Sequence, residues 1–266
     1  MAATSSWVPL TVRRRQPKHV SVAARTISTL TAAVCLAAVP LGAQQAGIPR
    51  APDGKPDLSG FWQVMHTSAW LDIQDHSAEK GVPGGQGIVD GNDIPYLPAA
   101  LEKKKQNYAT RLTDDPVLKC FLPGVPRIMY MPFPFQIFQT PQKVGILFEF
   151  VHAVREIHLD SKHLQGPIEW WMGDSRGRWD GDTLVVDVLH FNDQTWFDRA
   201  GNHHSELLHV VERYSFLDPD HLRYEATIED PKVFSRPWKM NVLLYRRREP
   251  NFQLLDYECH ALEPVG

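Results

Sequence analysis

The sequence predicts a mainly β fold: an antiparallel up-and-down barrel with an N-terminal arm and one short helix. Beyond Pro126, apolar residues recur with period two over segments 133–140, 143–151, 152–160, 183–191, 207–217, 221–229, 238–247 and 252–259, each of ordinary strand length. The connections are short and carry turn chemistry, as in Thr140-Pro141-Gln142-Lys143, Trp179-Asp180-Gly181-Asp182 and Asp218-Pro219-Asp220, so consecutive strands should pair as a meander. An open sheet of this many strands would leave two edges, and closure removes them. No strand–helix alternation appears and no Gly-rich phosphate loop follows a strand, which disfavours nucleotide-binding α/β folds.

Taken in order, residues 1–43 have the features of an export signal. Arg13, Arg14, Arg15, Lys18 and Arg25 form a basic start, Ile27 to Val39 is apolar or small but too short to span a bilayer, and Gly42-Ala43 offers small residues for cleavage, with Ala46 a second choice. The whole chain has 28 Lys+Arg and 31 Asp+Glu, a formal net charge of −3. The signal holds five of the basic residues and no acidic one, so its removal takes the charge to −8. Such a balance argues against a nucleic-acid partner, whose phosphates need clustered Lys and Arg. No later run of about 18 apolar residues exists to span a membrane.

Residues 44–126 are expected to form an arm, a first strand, an irregular loop and a helix packed on the barrel. Pro52-Asp53-Gly54-Lys55-Pro56 is turn chemistry, Leu58 to His66 has strand composition, and residues 77–98 carry eight Gly or Pro. From Pro98 to Leu112 the spacing of Leu101, Tyr108 and Leu112 opposite Lys103 and Lys104 predicts one helix opened by a proline. Residues 127–266 then make the barrel core. Cys35 leaves with the signal, and Cys120 and Cys259 remain as an even pair in an oxidising compartment, so a disulfide is expected between them, with two buried thiols as the alternative.

Gly60-Phe61-Trp62 at the entry to the first strand resembles the Gly-x-Trp of the lipocalins (calycin-type barrels). The resemblance implies a barrel around a small apolar ligand and a late arginine packed on the tryptophan, a role open to Arg246, Arg247 or Arg248. More broadly, residues 52–60, 177–186 and 191–196 resemble a large group of exported bacterial proteins of unassigned function.

Chemistry must come from polar residues in awkward places. Glu149, His152, Arg155 and His158 lie in Phe148-Glu-Phe-Val-His-Ala-Val-Arg-Glu-Ile-His158. In one uninterrupted strand Glu149 and Arg155 share a face and the histidines share the other, so joint action needs a turn or bulge near residue 151. A second set, His190, Asn192, Asp193, Trp196, Asp198, His203, His204, Ser205, His209 and Glu212, occupies a loop and its flanking strands, and such rims concentrate binding and catalysis. The expectation is an exported protein that binds a small apolar or aromatic molecule and acts on it by metal-free, cofactor-free acid–base chemistry of isomerase, lyase or hydrolase type. His152, Asp193, His204 and His209 are the catalytic candidates, and Glu149, Arg155, Trp171, Trp196 and Asp198 the ligand-binding ones. Two alternatives stand beside it: a passive carrier, and a metalloprotein ligated by His204, His209 and His152.

Overall fold

The structure is a computed structural model, and it describes residues 47–66, 68–78 and 84–258. The expected signal, residues 1–43, and Cys259 lie outside the described residues. Nine strands close into a barrel in sequence order: β1 (Gly60–Val64), β2 (Phe135–Gln139), β3 (Lys143–Phe148), β4 (Val154–Leu159), β5 (Asp174–Asp180), β6 (Thr183–Leu189), β7 (His209–Asp218), β8 (His221–Glu229) and β9 (Trp238–Arg246). The ring is closed by β1 against β9, with Trp62 opposite Arg246.

Two features depart from the meander expected. Strand β5, Asp174-Ser-Arg-Gly-Arg-Trp-Asp180, lacks apolar alternation, so periodicity passes over it. It belongs to the wall because Gly177 leaves room: a Cβ there would meet Leu159 and Ile157 at 2.7 and 2.8 Å. β5 also pairs in parallel with β4, through Ile157–Ser175 to Leu159–Gly177. Parity requires one such pair, because an odd ring of strands cannot alternate in direction all the way round. The segment at 252–259 is not a strand in its described part, 252–258. With β9 already on β1 no edge remains for it, and it makes only an isolated bridge, Phe150 to Tyr257.

The topology divides the barrel into unequal ends. Tight connections at 140–142, 181–182 and 219–220 occupy one end, while the long segments 65–134, 190–208 and 230–237 all leave from the other. These long segments build a cap, and helix α1 (Pro98–Asp114) belongs to it. Its entry is tied to the β8–β9 connection by Leu97 N donating to Val233 O, and its middle to the β6–β7 connection by Asn107 Nδ2 donating to Gly201 O at 3.2 Å. A buried Arg127–Asp115 pair at 2.7 Å crosslinks the same layer.

Inward residues alternate along every long strand, as in Val210, Glu212, Tyr214 and Phe216 of β7 and Leu222, Tyr224, Ala226 and Ile228 of β8. At the closed end, the Arg246 guanidinium lies 4.2 Å from the Trp62 ring centre, which selects Arg246 from the three candidate arginines. Its Nη1 also donates to Ser59 O at 2.6 Å. Gly60, at φ 128°, permits this, since a Cβ there would sit 2.5 Å from that Nη1.

Candidate functional site

The lumen is spanned by side chains. Arg155 on β4 reaches Glu212 on β7 in a two-pronged pair, with Nη1 donating to Oε1 at 2.9 Å and Nη2 to Oε2. Ser175 accepts from Arg155 Nε and Nη2 at 3.1 and 2.9 Å, and Tyr214 and Tyr224 donate to Glu212 Oε1 at 3.1 and 2.8 Å. Burial opposes the guanidinium charge, yet Glu212 and the two tyrosines hold its pKa above the ordinary arginine value. Each inward polar atom thereby gains a partner, as burial requires. Arg155 thus holds the wall together across the lumen.

Cavities open outside the wall. Two adjoining ones, of about 460 and 350 Å³, share Lys103, Asn107, Asp193 and Trp196, and form a groove between α1 and the β6–β7 connection. The first is also lined by Trp171, stacked on Phe121 with ring centres 4.8 Å apart, and the second by His203 and His204. The connection folds sharply here. Asn192 Oδ1 accepts from Gln194 N, a bridge joins Trp196 to His203, and Phe197 N donates to Asn202 O at 2.7 Å.

His204 is the chemical centre of this groove. Its ring is wedged between Phe191 and Phe197, with centres 5.8 and 5.4 Å away. Burial pushes its pKa below the ordinary histidine value, so the ring is neutral near pH 7. Nδ1 lies 2.8 Å from Ser205 O, which can only accept, so Nδ1 carries the proton. Nε2 is then a bare acceptor, and the Thr195 hydroxyl donates to it at 2.6 Å. Ser205 is itself fixed, its N and Oγ donating to the buried Asp230 at 2.6 and 2.9 Å. His203, stacked on Tyr96, is pushed down to about 4 by burial.

Of the residues singled out from sequence, Asp193, His203, His204, Ser205, Trp171 and Trp196 line the groove, whereas Glu149, His152, Arg155, Asp198 and His209 do not. Asp198 lies beneath it, fully buried, accepting from Ile73 N, Asn202 N and Asn202 Nδ2 at 3.0, 3.1 and 2.6 Å. Burial first, and the Asp72 charge second, push its carboxyl up to about 7. His209 sits on the outer wall with Nε2 3.1 Å from Asp187. Val151 and His152, at φ 49° and 48°, make the turn between β3 and β4, and His152 points to Glu258, 2.8 Å away. That turn puts Arg155 in the lumen while Glu149 accepts from Leu255 N at 2.8 Å. His152, His204 and His209 therefore keep separate company, so the metal set drawn from them is not assembled.

Sequence reasoning passed over Thr195, Lys103, Asn107 and Asp230. Only the cap's folding brings them to His204, although Thr195 did stand inside a segment singled out by resemblance.

Fold and groove together define a closed, mostly antiparallel β-barrel whose long loops and helix α1 build a groove at one end. No described helix is long and apolar enough to cross a membrane. No family description matches this chain, and a search of curated proteins finds no match.

Proposed function

We propose that this is an exported, lipocalin-like barrel protein that binds a small aromatic or apolar molecule in the α1 groove and acts on it by metal-free acid–base chemistry. One observation carries the reading: a neutral His204 whose Nδ1 is anchored on Ser205 O and whose bare Nε2 receives the Thr195 hydroxyl at 2.6 Å. A hydroxyl, a base and a group that orients the base are the parts of an activated nucleophile or proton relay. Trp196 and Trp171 supply apolar walls, and Lys103 supplies a cation for an oxygen of the ligand. Asp193, on the same rim, favours the imidazolium that forms when His204 takes a proton. The stack of Arg246 on Trp62 supports the lipocalin-like assignment, and the basic, apolar and small-residue order of residues 13–43 supports export.

A passive carrier is favoured by a different fact: both imidazole nitrogens already have partners, and Thr195 and His204 are only 2% and 4% exposed. Native mass spectrometry of the purified protein identifies the copurifying molecule, and two variants then separate the readings. Trp196→Ala should weaken binding in either case. His204→Gln should leave binding within about threefold and reduce turnover of that molecule by about 100-fold or more, the size of a general-base contribution. Equal binding by wild type and His204→Gln with no turnover by either makes the protein a carrier, and equal turnover by both refutes the role of His204.

A further inference from the structure

We infer that His163, Asp174 and His190 form a binding site for a divalent transition-metal ion of the zinc type on the outer wall of the barrel. This site is separate from the groove and does not depend on the function proposed for it. One ligand atom from each residue lies within 4.8 Å of the others, and His163 Nδ1 is 2.9 Å from Asp174 Oδ2. Bonds of about 2.0–2.2 Å to nitrogen and oxygen place adjacent donors roughly 3–3.5 Å apart. The His163–Asp174 pair is already near that spacing, and the His190 donor, within 4.8 Å of both, joins them by a side-chain rotation. Two imidazoles and a carboxylate suit zinc and its neighbours rather than calcium or magnesium, which take oxygen cages.

The topology that assembles the three is the barrel's irregular feature. The β4–β5 crossover must run back along the outside of the wall, and it carries His163. Asp174 opens β5 opposite Leu189, so His190 follows one residue beyond that pair. The crossover is stapled there, with Trp170 N donating to His190 O at 2.8 Å, and His190 holds a left-handed φ of 62°. A left-handed backbone in a non-glycine residue is a cost that functional sites tend to retain.

The surroundings resemble the outer layer of a metal centre. Asp187 Oδ1 lies 3.3 Å from His163 Nε2, the carboxylate–imidazole arrangement that would keep the proton on Nε2 and give the Nδ1 lone pair to a metal held with Asp174. The same Asp187 accepts from His209 Nε2 at 3.1 Å, and His209 Nδ1 is 3.5 Å from Glu229. Arg176 grips the Asp174 carboxylate from the side, its Nε donating to Oδ2 at 3.0 Å and its Nη2 lying 2.8 Å from Oδ1. An open cavity of about 430 Å³, lined by His163, Arg176 and Asp187 among others, lies beside this outer layer.

The test is titration of the EDTA-treated, dialysed protein with Zn²⁺ alone by calorimetry at pH 7.5, with Co²⁺ absorption as a second readout. One equivalent should bind. His163→Gln and His190→Gln should each weaken Zn²⁺ binding about 100-fold or more and remove the Co²⁺ visible bands, and Asp187→Asn should weaken it about 10–100-fold. His152→Gln, which alters a histidine beside Glu258 and Asp256, should change nothing. Circular dichroism checks each fold, and the His190 and Asp187 variants carry the test should His163→Gln unfold. Absence of saturable Zn²⁺ binding overturns the inference, as does binding that survives both His163→Gln and His190→Gln.

Discussion

Arg155→Met is the most informative single perturbation of this barrel. The guanidinium makes five donor contacts in the lumen, two with Ser175, two with Glu212 and one with Tyr214 at 3.3 Å. Glu212 is wholly buried, and methionine would leave its carboxylate facing only two tyrosine hydroxyls. Removing one partner of a buried ion pair costs about 3–5 kcal/mol, because the surviving charge is desolvated and unpaired. At roughly 2–4 °C per kcal/mol for a chain of this size, the thermal midpoint should fall by about 6–20 °C. Arg155→Met/Glu212→Gln removes the stranded charge but keeps an acceptor for both tyrosines. It should recover at least about 2 kcal/mol relative to the sum of the single losses. Urea unfolding followed by tryptophan fluorescence measures all three variants. A loss below about 1 kcal/mol in Arg155→Met, or additivity within about 0.5 kcal/mol, would refute the claim that this pair braces the wall. The experiment also separates bracing from the ligand-orienting role expected of Arg155, since a brace changes stability and leaves the groove's affinity alone.

Other consequences follow from particular residues. Asp198 has a folded-state pKa raised to about 7 against roughly 4 unfolded, so its favourable contribution is complete below about pH 4 and is lost as pH rises to 7, a drop of order 4 kcal/mol. Asp198→Asn should flatten that slope in denaturant midpoints measured from pH 4 to 8, and an unchanged profile would contradict the assignment. His203, lowered to about 4, acts in the opposite sense: its contribution is present above about pH 6.5 and is lost as pH falls toward 4, so His203→Asn should make the protein less acid-sensitive in the same assay. Gly60→Ala combines a φ of 128° with a 2.5 Å approach to Arg246 Nη1, and should cost about 1–3 kcal/mol with loss of the Trp62–Arg246 stack; a thermal midpoint equal to wild type would sink this. For the disulfide expected from sequence between Cys120 and Cys259, closing a loop of more than one hundred residues would be worth about 4 kcal/mol in the chain-entropy picture. Reduction should therefore lower the thermal midpoint by roughly 8–16 °C, and no change on reduction argues against the bond.

Much of this protein was legible in its sequence, because strand propensity and turn chemistry are local. Period-two alternation located β2, β3, β4 and β6 to β9; Pro98 and the Leu101–Tyr108–Leu112 stripe located α1; and Gly60-Phe61-Trp62 marked the first strand. The same local logic flagged a turn near residue 151 as the condition for Glu149, His152 and Arg155 to act together; the turn is present, yet it leaves Arg155 on Glu212 in the lumen and His152 beside Glu258. Tertiary structure alone decided what no local rule encodes. β5 has a polar sequence and enters the wall with Gly177 leaving room for Leu159 and Ile157, and its entry makes the ring odd and so forces one parallel pair. Residues as distant as Arg155 and Glu212 meet only when the sheet curls round on itself, which converts a supposed ligand contact into a brace. His204 finds Thr195 as its partner, and His209 finds Asp187, because side-chain direction at a loop depends on backbone folds such as the Asn192 turn and the Trp196–His203 bridge. Alternation along a chain reports which face a residue takes, whereas the company it keeps there is set by closure of the ring and packing of the cap.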